Sequence, residues 1–327
     1  MKILEVGKGR DFAVREVPIP EPGVDEVLLK IEAVTTCPQW DLHLRHDSPM
    51  FPGHQFHYPY TPGQPGHEAT GIIAAVGKDV TEFAVGQRVS TWRDPGHKRP
   101  GCYAQYAAHK SDNVIAVPTH LPPAATAPVE LAMCVGASFL MQKAMGVLEK
   151  RRFAVVGLGP AGLIAAQMAR AEGASEVVGF DLSEKRRAKG LSLGLDAAFD
   201  PGTYSDAAKF DTAIDCVGAK TSVEWLMDRT EDAVALFGVQ RESYAFAPRH
   251  YRLRLCGYPG HSRAAAEYAV QLITEEKLDL RPLVTHHFPL EGYAEAIDLL
   301  EKQDAIKVCF WPWKSADMFA GPVGEQF

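Results

Sequence analysis

The sequence predicts an α/β chain of two domains, one rich in short β-strands and the other a doubly wound parallel sheet. Three observations predict it. The 327 residues leave room for two domains of roughly 150 residues, each able to bury a core. The first half consists of short β-prone runs punctuated by Gly and Pro. The second half alternates apolar runs with segments of helical spacing. Apolar residues at 46% and charged residues at 23% are ordinary for a globular protein. A net charge of -7 and a pI near 6.0 argue against the concentrated basic patch that nucleic-acid phosphates require, so no nucleic-acid partner is expected. No apolar stretch is read as approaching the roughly 20 residues that span a bilayer, and "MKILEVGKGRDF" lacks the apolar run of a signal peptide. No membrane association and a cytoplasmic location are expected.

In chain order, "VPIPEPGVDEVLLKIEAV", "GHEATGIIAAVG", "VGQRVSTW" and "CYAQYAAH" predict strands of a barrel-like β domain, with a loop between Met50 and Gly66. The second half opens with "RRFAVVGLGPAGLIAAQMARAEGASEVVGFD": strand, glycine turn, helix and strand within about 30 residues, the size of one βαβ unit. Gly157, Gly159 and Gly162 fall at the strand-to-helix junction. There the first allows the turn, the second lets backbone approach a pyrophosphate, and the third lets helix and strand pack closely. Asp181 follows Gly157 by 24 residues, close to the spacing of a ribose-binding acid. Leu158, Pro160 and Ala161 complete the expected cofactor loop, and Cys216 and Val217, after the strand-like "FDTAID", are placed with it. Next come a helix, "SEKRRAKGLSLG", and strands in "FDTAIDCVG", "AVALFGV" and "YRLRLCG". The alternation implies a parallel sheet covered on both faces. Lys185, Arg186 and Arg187 read as a solvated helix face rather than a phosphate clamp. A helical "AAAEYAVQLITEEKL" leads into the C-terminal segment, and no internal repeat is visible.

The six cysteines, at 37, 102, 134, 216, 256 and 309, form no C-x-x-C pair and read as reduced thiols. Cys216, Cys256 and Cys309 sit in apolar runs as packing residues. Cys37, in "TTCPQWDLH", is by its residues alone a small buried side chain, a redox thiol or a metal ligand.

At "PGHEATGIIAAVG", then "VGQRV", then "GLGPAG", the sequence resembles the zinc-dependent alcohol dehydrogenases of the medium-chain dehydrogenase/reductase superfamily. The resemblance runs over nearly the whole chain, to "LVTHHFPLEGYAEAIDLL". It implies a GroES-like β-rich catalytic domain from residues 1–135 and 263–327, an NAD-binding Rossmann domain from residues 136–262, and a cleft holding zinc and nicotinamide. It also implies one catalytic zinc per chain, held by Cys37, His67, Glu68 and Glu130, with Cys134 as the alternative to Glu130. Thiolate, imidazole and carboxylate are all acceptable to zinc. The implied reaction is hydride transfer between a small alcohol, or its aldehyde or ketone, and NAD, with NADP less favoured because Asp181 repels a 2′-phosphate.

Three departures from the family follow. The stretch "TWRDPGHKRPGCYAQYAAH" holds Cys102 alone where relatives often carry four cysteines, so no structural zinc is expected. Cys37 and Asp41 are four apart rather than three, which puts in doubt whether Asp41 reaches His67 as an orienting carboxylate. Relatives commonly use a Ser or Thr two residues after the zinc cysteine to pass the alcohol proton on. Position 39 here is Gln, whose amide does not titrate near neutral pH. A water linking the reacting oxygen to His43 is therefore expected, with Cys37, His43, His67 and Glu68 as the catalytic set. Trp40, Tyr60, Trp92 and Arg93, with the loop histidines His46, His54 and His57, are expected near the substrate. Two other readings stand beside this one: a metal-free quinone or enone reductase, and a non-catalytic nucleotide-sensing protein. The aromatic "CFWPWKSADMF" suggests burial of the chain end in a homo-oligomer, dimer or tetramer.

Overall fold

The first runs of the chain, β1 (Lys2–Val6) and β2 (Phe12–Glu16), pair antiparallel as a two-stranded sheet. A seven-stranded sheet takes β3 (Glu26–Thr35), β4 (Glu68–Val76), β5 (Arg88–Thr91), β6 (Tyr106–Lys110) and β7 (Val114–Ala116). It is completed from the far end of the chain by β14 (Val284–Phe288) and β15 (Lys307–Phe310), in the order β14-β15-β3-β4-β5-β7 with β6 also on β3. β3 is buried at most positions, which is why its sequence reads as a nearly continuous apolar run. Four helices lie in or begin in this part: α1 (Pro38–Arg45), α2 (Pro123–Thr126), α3 (Val129–Ala144) and, from the far end of the chain, α8 (Tyr293–Glu301). The computed structural model describes residues 1–51, 53–60, 66–94 and 99–319. The chain divides into two units, Met1–Leu131 with Leu280–Phe327, and Ala132–Asp279.

The second unit strings β8 (Arg152–Val156), α4 (Pro160–Ala171), β9 (Glu176–Phe180), α5 (Glu184–Ser192) and β10 (Ala197–Phe199) before a second run. That run is β11 (Phe210–Asp215), α6 (Lys220–Asp228), β12 (Thr230–Leu236), β13 (Arg254–Gly257) and α7 (Arg263–Thr274). The strand order is β10-β9-β8-β11-β12-β13 and every pair is parallel. The order reverses between β8 and β11, and in open parallel sheets ligands sit in the crevice outside the carboxyl ends at such a point. Each unit has its own core, the first around Leu29, Ile31 and Phe310, the second around Phe180, Phe210 and Leu226.

The two units meet within α3 and at Asp279/Leu280, where domain boundaries were expected at 135/136 and 262/263. Tyr268 of α7 donates to Glu172 at 2.9 Å, and Gln167 exchanges two hydrogen bonds with the Asp279 backbone. Pro123–Ala144 is, at 22 residues, long and apolar enough to cross a bilayer, against the expectation; it packs as core, with 83% of its apolar window buried in the protein. The C-terminal aromatics are used within their own unit: Trp311 is buried, and Trp313 donates to the Ile31 carbonyl at 2.8 Å under Lys30. Residues 61–65 of the predicted loop, and 95–98 of the stretch read as lacking a structural zinc, lie outside the described residues, as do 320–327.

Candidate active site

Sheet register assembles the first cluster. β3 pairs antiparallel with β4 so that Thr35 faces Glu68, and Thr35 Oγ1 donates to Glu68 at 3.1 Å. Cys37 lies two residues beyond Thr35, where the chain leaves the sheet and caps α1, with Pro38 at its first position. His67 immediately precedes β4, and Thr91 of β5 pins it by donating to its carbonyl oxygen while accepting from Ala69 N. Ligand atoms of Cys37, His67 and Glu68 consequently all lie within 4.8 Å of one another. Glu130, in the first turn of α3, brings Oε2 to 3.4 Å from His67 Nε2. That matches the edge of a tetrahedron with metal bonds of ~2.1 Å, about 3.4 Å. Thiol, imidazole and carboxylate converging in a buried site is a donor set that suits zinc. Cys134 Sγ lies 3.6 Å from His261 Nε2.

Electrostatics agree with a cation site. Burial alone would push the His67 pKa down, but Glu130 and Cys37 outweigh it and hold the imidazolium well above the usual histidine range. Burial pushes the Glu68 carboxyl up, opposed by Lys307. Lys307, wholly buried in β15, sets Nζ 2.6 Å from both Glu68 oxygens and donates to the Thr36 carbonyl at 2.7 Å. The sequence reading missed this lysine. The signal was a charge inside the apolar run "IKVCF", which a buried strand tolerates only with a partner.

The extra residue between Cys37 and Asp41 has a visible effect. Asp41 folds back along α1, accepting from Cys37 N at 3.0 Å, from Tyr103 at 2.9 Å and from Tyr293 at 3.2 Å. Burial raises its pKa to about 7 against these donors. His67 Nδ1 remains buried without a hydrogen-bond partner. Asp41 therefore does not hold the imidazole. Tyr103 and Tyr293, absent from the sequence reading, hold Asp41 instead.

His43 is half-buried on α1, and its Nδ1 lies 3.1 Å from the Ser48 carbonyl, which can only accept. Gln39 occupies the helix's first turn. Among the residues expected near the substrate, Trp40 and Tyr60 pack edge-on against Phe56, and His54 packs beside Trp40. His46 pairs with Glu301 at 2.8 Å. His57 and Arg93 are exposed, while Trp92 is buried with Nε1 unpartnered.

The glycine loop of the second unit has the steric signature of a phosphate cradle. Gly157 sits at φ 87°, and a Cβ on Gly162 would lie 1.8 Å from the Gly157 carbonyl oxygen. At Gly159, which caps α4 ahead of Pro160 and Ala161, a Cβ would meet nothing within 4 Å. Asp181 accepts from Leu158 N and from Ser183 N, each at 2.8 Å, with Arg186 at 3.8 Å. Lys185 and Arg187 follow on α5, and Arg187 bonds the Asp181 and Leu182 carbonyls. Cys216 bonds the end of β8 through its N–H at 2.8 Å, and burial pushes its thiol well above the usual range; Val217 is 48% exposed beside Gly157.

Comparison with known proteins decides the family. Residues 23–119 match the family described as alcohol dehydrogenase GroES-like domain, and residues 160–243 the zinc-binding dehydrogenase family. The chain belongs to the zinc-dependent alcohol dehydrogenases. It is 26% identical to a sorbitol dehydrogenase of Halalkalibacterium halodurans over 92% of this chain and 96% of that protein. It is 27% identical to an L-threonine 3-dehydrogenase of Bacillus subtilis over 95% and 99%. Galactitol-1-phosphate dehydrogenase from Escherichia coli superposes with a TM-score of 0.82 at 25% identity, covering 95% of this chain and all of that one. This zinc-dependent dehydrogenase is thus a GroES-like plus Rossmann oxidoreductase of alcohols that uses zinc and a nicotinamide cofactor.

Proposed function

We propose that this dehydrogenase oxidises a small secondary alcohol carrying a neighbouring polar group, or reduces the corresponding ketone, with NAD(H) as its preferred cofactor. The observation that carries the reading is the buried convergence of Cys37, His67, Glu68 and Glu130. When bound there, zinc supplies Lewis acidity towards the alcohol oxygen while the nicotinamide exchanges hydride. Cys37, His67, Glu68 and Glu130 would hold the metal, and Lys307 donates to both Glu68 oxygens. His43, whose Nδ1 lies 3.1 Å from the Ser48 carbonyl, is the residue that takes the alcohol proton through a water. Asp181 supports NAD(H): its carboxylate favours ribose hydroxyls and repels a 2′-phosphate. The alcohol class rests on the relatives, whose names specify sorbitol, L-threonine and galactitol-1-phosphate.

The test combines metal analysis with a screen of alcohols and ketones against NAD(H) and NADP(H). About one zinc per chain, lost in Cys37→Ala, and turnover of a polyol or amino alcohol with NAD are expected. Zinc-free protein that reduces quinones or enones would replace this reading with the metal-free one. Zinc-loaded protein that binds nucleotide and turns over none of these substrates would leave the sensing reading in its place.

A further inference from the structure

The second unit carries an unsatisfied acceptor at the carboxyl edge of its sheet. Gln240 Oε1 is shielded from solvent without a hydrogen-bond partner, while Nε2 of the same amide donates to the Gly238 carbonyl at 2.8 Å and to Asp215 Oδ2 at 3.5 Å. Both neighbours of Nε2 are acceptors, so turning the amide over would set oxygen against oxygen. The oxygen is therefore the end presented to a ligand. A shielded acceptor with no donor costs free energy that an arriving donor recovers.

Its position points to the dinucleotide. A Cβ on Gly157, the first glycine of the phosphate loop, would meet Val217 Cγ2 at 2.6 Å; one on Gly218 would meet the Val239 carbonyl oxygen at 2.4 Å. Gln240 is the next residue in the chain. Close approaches thus run from the phosphate loop through the turn after β11 to the turn after β12. Val217 and Val239 are 48% and 43% exposed, leaving apolar side chains in solvent where ligands of open parallel sheets bind. Asp181, the acid placed for the adenosine ribose, follows β9, whereas Gln240 follows β12, across β8 and β11. The two residues therefore serve opposite halves of the cofactor. The stretch from 237 to 247 holds no helix or strand, and a ligand reaching Oε1 would displace part of it.

We propose that the side-chain carbonyl of Gln240 binds the nicotinamide nucleoside half of the dinucleotide, accepting a hydrogen bond from its carboxamide N–H or a ribose O–H. This rests on the reading of the second unit as a nicotinamide-dinucleotide domain. The test is calorimetric titration of the zinc-loaded full chain, wild type and Gln240→Leu, with NADH, with ADP, and with 3-acetylpyridine adenine dinucleotide, whose ring substituent has no N–H. Affinity for NADH should fall about tenfold in the variant with ADP unchanged, the effect of one lost acceptor. Unchanged ADP binding also shows that the variant is folded. Equal affinity of both proteins for the acetylpyridine analogue assigns the carboxamide as donor, and a persisting tenfold gap assigns the ribose. Equal losses for NADH and ADP would make Gln240 a brace of its loop and overturn the proposal. An NADH affinity indifferent to the substitution would overturn it too. Failure of the wild type to bind either nucleotide would overturn the domain reading and this inference with it.

Discussion

Lys307 illustrates how one side chain can hold a site's charge. Its Nζ, 2.6 Å from both Glu68 oxygens in full burial, compensates a carboxylate that burial would otherwise neutralise. Removing one partner of a buried pair strands the other. Lys307→Met is therefore expected to cost about 3–5 kcal/mol in denaturant unfolding, with Lys307→Arg losing less; a loss under about 1 kcal/mol would show the pair to be dispensable. His43 gives a kinetic test at the same scale. His43→Gln should slow alcohol oxidation up to roughly 100-fold near neutral pH, with partial rescue by small buffer bases. Gln39→Ala should cost less. An unaltered rate and pH profile in His43→Gln, with zinc and NAD(H) binding intact, would route the proton directly to solvent.

At the scale of the element, the strand-turn-helix from β8 to α4 separates packing from binding. Gly162 lets α4 press against the turn, where a Cβ would lie 1.8 Å from the Gly157 carbonyl oxygen; Gly159 faces open space. Gly162→Ala should therefore lower stability by about 3 kcal/mol, at the upper end of overpacking costs. Gly159→Ala should stay within about 1 kcal/mol of the parent yet weaken NAD(H) binding, because the added methyl fills the approach of the pyrophosphate. Thermal melts and nucleotide titrations on the two variants separate these effects. Equal behaviour of both would contradict the assignment. The pattern was legible in advance because glycine spacing, strand length and helix period are all local.

At the scale of the whole molecule, the buried histidines His109 and His287 contribute a loss of stability in acid, opposed over the same window by the raised carboxyl of Asp41. Burial lowers the pKa of His109 to about 4 and that of His287 to about 4. Between their unfolded value near 6.5 and about 4, the unfolded chain binds protons that the folded one does not, so stability rises with pH and is lost as pH falls through that window. His109, wholly buried beside Cys102 at 3.3 Å, should account for up to about 3 kcal/mol of it. His109→Asn should flatten the stability profile between pH 6.5 and 4; a slope identical to wild type would assign the lability elsewhere. Deletion after Trp313 should leave the mass in solution unchanged, since Trp311 and Trp313 are already engaged within their own unit.

Chain order and period were sufficient for the β-rich and doubly wound halves and the phosphate loop, because each depends on residues near one another or on repeating polarity; the pairing of "TTC" with "GHE" was implied by the family resemblance. The details of the metal cluster were not. Cys37 and Glu68 meet through strand register, Glu130 arrives from a helix 62 residues beyond Glu68, and Lys307 joins from 239 residues away. The same tertiary packing put Tyr103 and Tyr293 on Asp41, and His67 Nδ1 is left without a hydrogen-bond partner. Long-range contacts of this kind leave no periodic trace in the sequence, since a buried charge is stabilised by whichever partner the folded sheets bring within hydrogen-bonding distance.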